Sequence, residues 1–294
     1  MPNTALASRR FTGYLFLLPY LTLFCVFLLL PLGYGLVLSF QKYNMAESKN
    51  AAPVFIGLTN YREALNDQYF RRALWATARF VIMAVPCTVG LALLLAVGIN
   101  ALPERRQAFY RLCIFVPTMI TISVAGILWR WFYNSQFGVF NALLAKVGVE
   151  PINWITDKAL AMPSIVLMTV WWTVGGPAVI LLAGLKQIPE VYYEAASIDG
   201  AVGWRRFVHI TLPLLRPVLL FVLVINVIGA FQIFGQTYII TRGEPELSTR
   251  VLVHYIYDTA FNFYRMGYGS AMSWLLFLII VVFSVIQFRV AREK

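Results

Sequence analysis

ALAMPSIVLMTVWWTVGGPAVILLAGL, residues 159–185, runs for 27 positions without an Asp, Glu, Lys, Arg or His. A helix needs about 20 such residues to cross the hydrocarbon of a bilayer. Backbone N–H and C=O groups find no water there and must bond within their own segment, so a run of this length is read as a helix. Five more charge-free runs flank it, at 11–41, 80–103, 112–129, 217–241 and 266–288. No strand-like alternation interrupts them. Hydrophobic residues make up 60% of the 294 positions and charged ones 13%, a balance foreign to soluble domains. The expected fold is an all-α integral membrane domain of six transmembrane helices, residues 1–294 forming one unit without a sequence repeat. The run 131–145 carries Tyr133, Asn134, Ser135, Gln136, Gly138 and Asn141 and suits an external or interfacial position. Pro19 and Pro31 inside the first run predict a kinked or tilted helix.

An even number of spans puts both termini on one side. With the termini cytoplasmic, 12 of the 24 Lys and Arg lie inside, from Arg9 and Arg10 to Lys294, so the count alone is a tie. The loops then placed outside, 42–79, 130–158 and 242–265, are longer and hold 8 of the 13 acids, which favours cytoplasmic termini. Within 42–72, GLTNY at 57–61 followed by Asp67 predicts an ordered segment with a short helix.

The net charge of +11 is spread over loops and tails, so topology and anionic lipid headgroups explain it better than a nucleic-acid partner. Ser8, Arg9, Arg10 and Phe11 hint at a twin-arginine signal, but the apolar run behind them is far longer than a signal h-region of about 7–15 residues. Cys25, Cys87 and Cys113 sit singly in apolar runs and read as small buried hydrophobes. His209 and His254 are too far apart to suggest a metal site. None of the lysines precedes Ser or Thr, so the Gly-Lys-Ser/Thr core of a phosphate-binding loop is missing.

Segment 186–216, KQIPEVYYEAASIDGAVGWRRFVHITLPLLR, is too rich in helix signals for a plain connector. Pro189 suits a first helical turn, and Val191, Ala195 and Ile198 share one face. Asp199 and Gly200 break the helix, and a second short amphipathic stretch from Val202 to Ile210 ends before Pro213. Two short helices joined at a glycine would protrude into the cytoplasm. Lying flat on the membrane, with Arg205 and Arg206 at the headgroups, suits the same pattern.

EAASIDG at 194–200, with Gly200 four residues after the second alanine and then Ile210, Leu212 and Pro213, resembles the EAA loop of binding-protein-dependent ABC importer permeases. FLLPYLTLFCVFLLLPLGYGLVLSF at 16–40, FIGLTNYREAL at 55–65, FVPTMITISVAGILWRWFYNSQFGVFNALL at 115–144 and LLAGLKQIPEVYYEAASIDGA at 181–201 are similar to the maltose and glycerol-phosphate type. The resemblance implies a bacterial inner-membrane permease for a sugar, oligosaccharide, polyol or glycerol phosphate. It also implies a second homologous permease, an extracytoplasmic solute-binding protein, and two ATPase subunits that hold the ATP and Mg while this chain holds no cofactor. Glu194, Ala195, Ala196, Asp199, Gly200, Ile210 and Pro213 would form the coupling loop, with Glu194 paired to a basic group of the ATPase. Arg242, Gly243, Glu244 and Pro245 stand where many relatives have a Gly-Gly-Pro turn.

Two other classes fit parts of the pattern. A sodium-coupled secondary carrier tolerates the absence of intramembrane charge, because carbonyls can bind sodium. A polytopic membrane enzyme would use clustered carboxylates, for which Glu190, Glu194 and Asp199 qualify by position. For the solute path, Trp171, Trp172, Asn226, Gln232 and Gln236 are the candidates, since amides meet hydroxyls and rings meet the CH faces of sugars. Aromatic belts and helix-bridging amides account for the same residues.

Overall fold

The computed structural model describes residues 16–44, 46 and 52–292. Ser8 to Phe11, Ser48 and Lys294 lie outside them. In chain order come α1 (Phe16–Ser39), β1 (Gln41–Lys42), β2 (Val54–Phe55), α2 (Thr59–Asn66), α3 (Gln68–Asn100) and α4 (Glu104–Phe115). Then follow α5 (Ile122–Phe132), α6 (Val139–Ala145), α7 (Ala161–Thr173), α8 (Gly175–Lys186) and α9 (Glu190–Ile198). The last are α10 (Gly203–Phe231), α11 (Gly235–Ile240), α12 (Leu252–Tyr257) and α13 (Met266–Arg292).

Four helices, α1, α3, α10 and α13, are each long and apolar enough to cross a membrane. Two further apolar stretches are broken: α4 with its 3-10 extension turns 94° into α5, and α7 turns 49° into α8. The count is therefore four spans, or up to six if each bent pair is one. The first break follows from Pro117 in the 3-10 turn Val116–Met119, after which Ile120 and Thr121 are extended. The second lies at Gly175, where an added Cβ would sit 2.2 Å from the carbonyl oxygen of Ile114. Backbone meets backbone at that joint, so only a residue without Cβ fits.

The chain divides into two compact units, Met1–Asp67 with Ile256–Leu275, and Gln68–Tyr255 with Leu276–Lys294. In the first, the short antiparallel ladder pairs Gln41 with Phe55 and Lys42 with Val54. The GLTNY segment is held by side chains: Asn60 Nδ2 donates to the carbonyls of Ser39 and Gln41, both at 2.9 Å, and Tyr61 meets the Ser39 hydroxyl at 2.6 Å. Arg265 forks onto both oxygens of Glu63 at 2.7 and 2.8 Å, and Tyr268 donates to Asp67 at 2.8 Å. Within α1, the stretch Cys25–Leu29 is π-helical and Leu30 N–H reaches back to Cys25. The register gains one residue just before Pro31, which has no N–H to give.

In the second unit α3 is the central post. Its buried side is a row of small residues, Ala73, Ala76, Ala84, Ala92 and Ala96, while Ile82 and Leu94 point outward at 66% and 71% exposure. Lipid is as apolar as leucine, so large side chains gain little by turning inward, and small ones let helices approach closely. Phe80 and Ala84 pack with Met162, Ile165 and Val170 of α7 and with Ile233 and Val251. The cysteines correct the expectation of burial: Cys25, Cys87 and Cys113 are free thiols on the outer faces of α1, α3 and α4. An apolar thiol is as compatible with hydrocarbon as with a protein core.

Candidate functional site

Pro189 is the N-cap of α9, one position before the first turn assigned to it from sequence, and Glu190 follows in that first turn. Eight residues on, the helix ends in a Schellman motif: Gly200 N–H bonds Ser197 O at 3.1 Å and Ala201 N–H bonds Ala196 O at 2.8 Å. Gly200 sits at φ +73°, and a Cβ there would meet open space. Its requirement is therefore conformational and not steric. Ala196, at the carbonyl end of the 2.8 Å bond, is buried.

Ala196, Asp199 and Gly200 thus come together in one cap, Asp199 being its C-cap residue. Glu194 and Ala195 are exposed beside them, and Glu194 has no ion pair among the described residues. The face read as apolar points away from the protein, with Val191 62% and Ile198 87% exposed. Ile210 and Pro213 lie elsewhere, on α10, half-buried and exposed respectively. The separate second helix expected to end before Pro213 does not exist as such. α10 passes through Pro213 and Pro217 without stopping, because Phe207–Thr211 is π-helical and Leu212 N–H bonds Phe207 O. That shift of register absorbs the missing proline donor.

Near its far end α10 borders a cavity of about 300 Å³. Its walls come from α3 (Phe80, Thr88), α7 (Thr169, Trp172, Thr173), α8 (Pro177), α10 (Asn226, Gly229) and α11 (Gln236). Every lining side chain is uncharged. Three of the five path residues read from sequence meet here: Trp172, Asn226 and Gln236. Asn226 Nδ2 donates to Val222 O at 2.8 Å, leaving its oxygen and its second N–H unengaged among the described residues. Gln236 is 9% exposed and its amide makes no hydrogen bond among the described residues. Trp172 Nε1 donates to Ile120 O at 2.9 Å, so its ring is fixed with one edge tied to the break between α4 and α5.

The other two candidates are not in the cavity. Trp171 packs against Trp129, ring centres 5.4 Å apart and planes tilted by 50°, in an aromatic cluster that includes Tyr133 and Phe140. Gln232 is the exposed C-cap of α10. Sequence reading missed Thr88, Thr169 and Thr173, which also line the cavity; the hydroxyls of Thr169 and Thr173 donate 2.8 Å to backbone carbonyls, which leaves their lone pairs as acceptors. Threonine at 169 and 173, one helical turn apart beside Trp172, is the signal that was available.

No group of three or more His, Cys, Asp or Glu side chains suited to a metal occurs among the described residues. At 242–247 the backbone is left-handed at Arg242, Gly243, Glu246 and Leu247, and Lys158 pairs with Glu246. The Lys158 ammonium holds the Glu246 carboxyl below the usual carboxylate range.

The fold recurs in a bacterial ABC transporter for import of the acidic polysaccharide alginate, at TM-score 0.81 and 22% identity, covering 97% of this chain and 96% of that one. A second structure of that transporter holds an alginate pentasaccharide-bound periplasmic protein. Among sequences, the probable ABC transporter permease protein YesP of Bacillus subtilis is 39% identical over 292 residues, 98% of this chain and 92% of YesP. The arabinooligosaccharides transport system permease protein AraP of the same organism is 34% identical, covering 97% and 90%. The lactose transport system permease protein LacF of Rhizobium radiobacter is also 34% identical, covering 96% and 94%. The model of the binding-protein-dependent transport system inner membrane component matches residues 80–293. The chain belongs to that family: it is an inner-membrane permease subunit of a binding-protein-dependent ABC importer, with several membrane-spanning helices and no ATPase site of its own.

Proposed function

We propose that this permease admits a neutral sugar or oligosaccharide through the cavity beside α10. The carrying observation is the chemistry of that cavity, in which the Asn226 and Gln236 amides stand among apolar walls with no charged side chain on the lining. Amides match hydroxyls in both donor and acceptor roles, and the Trp172 ring offers a face for sugar CH groups. A phosphate or sulfonate would want a cation there. Relatives named for arabinooligosaccharides and lactose agree with a neutral solute, while one named for sn-glycerol-3-phosphate, at 32% identity, marks the alternative.

The rest of the machine is read in the same way. Each bent pair serves as one span, giving six in a single transmembrane domain with both termini cytoplasmic. A second homologous permease completes the pathway, and two ATPase subunits bind ATP and Mg. α9 seats in one of them, its exposed Val191 and Ile198 entering an apolar groove and Glu194 meeting a cation. An exposed apolar face beside an unengaged carboxylate is what a docking helix requires. Proteoliposomes holding the full importer and its binding protein test the solute class. Uptake of labelled lactose or arabinotriose without uptake of glycerol 3-phosphate is the expected result, and the reverse preference overturns it.

A further inference from the structure

α9 lies against the π-helical turn Phe207–Thr211 near the start of α10, and Ala196 is its buried residue. Tyr193 makes the joint: its hydroxyl lies 3.3 Å from Oγ1 of buried Thr211, and the Arg206 guanidinium sits 5.4 Å over its ring. Beside this joint an open crevice of about 840 Å³ runs between α9, the corner of α3 and α4, and the start of α10, with Asn100, Glu104, Gln107 and Lys186 on one side and Tyr193, Arg206 and Thr211 on the other. Across that open space the contacts of Tyr193 with Thr211 and Arg206 tie α9 to α10.

We infer that Tyr193 is a positioning residue that passes displacement of α9 into α10, so that the helix carrying Asn226 and Gly229 at the cavity is the one that ATP-driven motion drives first. A continuous helix advances about 1.5 Å per residue, so the roughly 20 residues from Arg206 to Asn226 make a strut of about 30 Å. The two ring contacts hold its lower end in two directions. The Thr211 bond resists sliding along α9, and the guanidinium over the ring resists lifting away from it. This inference rests on α9 docking to the ATPase.

The test uses the full importer in nanodiscs, with Cys25, Cys87 and Cys113 replaced and spin-label pairs placed by cysteine substitution. One pair joins Phe221 of α10 to Leu94 of α3, both outward-facing at 53% and 71% exposure. The other joins Ser197 of α9 to Leu94. Distances are read with and without ATP and Mg in a hydrolysis-blocked complex. In the otherwise native chain both pairs should shift. Tyr193→Leu should keep the ATPase bound and the Ser197 pair moving while the Phe221 pair loses most of its shift. Tyr193→Phe, which keeps the ring under Arg206, should retain much of it. Arg206→Gln, which keeps the Thr211 bond, should lose only part of it, and adding it to Tyr193→Leu should change little, because Tyr193→Leu already removes the ring contact. An undiminished Phe221 shift in Tyr193→Leu overturns the inference, as does loss of the ATPase from that variant, which would make Tyr193 part of the docking face. If Glu194→Ala and Ile198→Ser both leave the ATPase bound and the Ser197 pair moving normally, it is the docking reading that fails.

Discussion

At its first turn α10 leaves Trp204 76% exposed, beside an α9 whose Ile198 is 87% exposed; about six turns on, Asn226 and Gly229 close around a cavity with no charge on its walls. One end leaves apolar side chains outside. The other lines a cavity of about 300 Å³. The contrast lies in how each end treats its polar groups: the first leaves Glu194 outside and unengaged, and the second sets the Gln236 amide on the cavity wall without a hydrogen bond among the described residues. A carboxylate in open water is fully solvated, whereas an amide on an otherwise apolar cavity wall has few partners there besides what enters the cavity.

The largest effect should come from breaking the outer end alone. Gly200→Val places a β-branched residue at φ +73°, costing about 1–2 kcal/mol or more of local conformational energy and misaiming α9. ATP-coupled uptake should fall about tenfold or more. Gly200→Asn, which tolerates left-handed backbone, should retain most of it, since the site has room for a side chain. Uptake assays on both, with membrane insertion measured by surface labelling, decide this. Equal loss in both variants would show that space and not φ is limiting.

Next in size is the inner end. Asn226→Ala or Gln236→Ala should raise the half-saturating solute concentration about fivefold, one hydrogen bond each, while ATPase copurification stays unchanged. Trp171→Phe and Gln232→Ala should move it by less than about twofold, because neither residue lines the cavity. If Gln232→Ala matches Gln236→Ala, the boundary of the cavity is misdrawn. Smallest of all is the exposed Lys158–Glu246 pair, whose side chains are 63% and 71% exposed. The folded pKa of Glu246 is lowered, so any stabilisation from the pair is present above the unfolded pKa and disappears as pH falls through the folded one. Melting curves of Glu246→Gln at neutral pH should overlay those of the unsubstituted protein.

The two ends also differ in how much of them could be read from the sequence. The α9 cap is local: Ala196, Asp199, Gly200 and Ala201 make it within six residues, so spacing alone carried it. The cavity is assembled from five helices, and neighbours such as Trp171 and Trp172 project about 100° apart on α7, which a single sequence does not resolve. Gln232 was misplaced because α10 stops at Phe231 and turns it outward. The start of α10 was hidden for a different reason. Lack of charge marks what sits in hydrocarbon, and this helix begins at Gly203, ahead of Arg205, Arg206 and Arg216. The break at Gly175 depends on a backbone approach between distant segments, Gly175 against Ile114, and composition is silent on that.

ATP hydrolysis can move α10 through α9 only if α9 touches the ATPase. A photoreactive benzoylphenylalanine at Ile198, with a control at Phe221, in the intact importer reads that contact after irradiation and mass analysis of the adducts. Ile198 should crosslink to the ATPase subunit and Phe221 to lipid or the partner permease. A crosslink from Ile198 to lipid, with none to the ATPase, would contradict the docking role of α9.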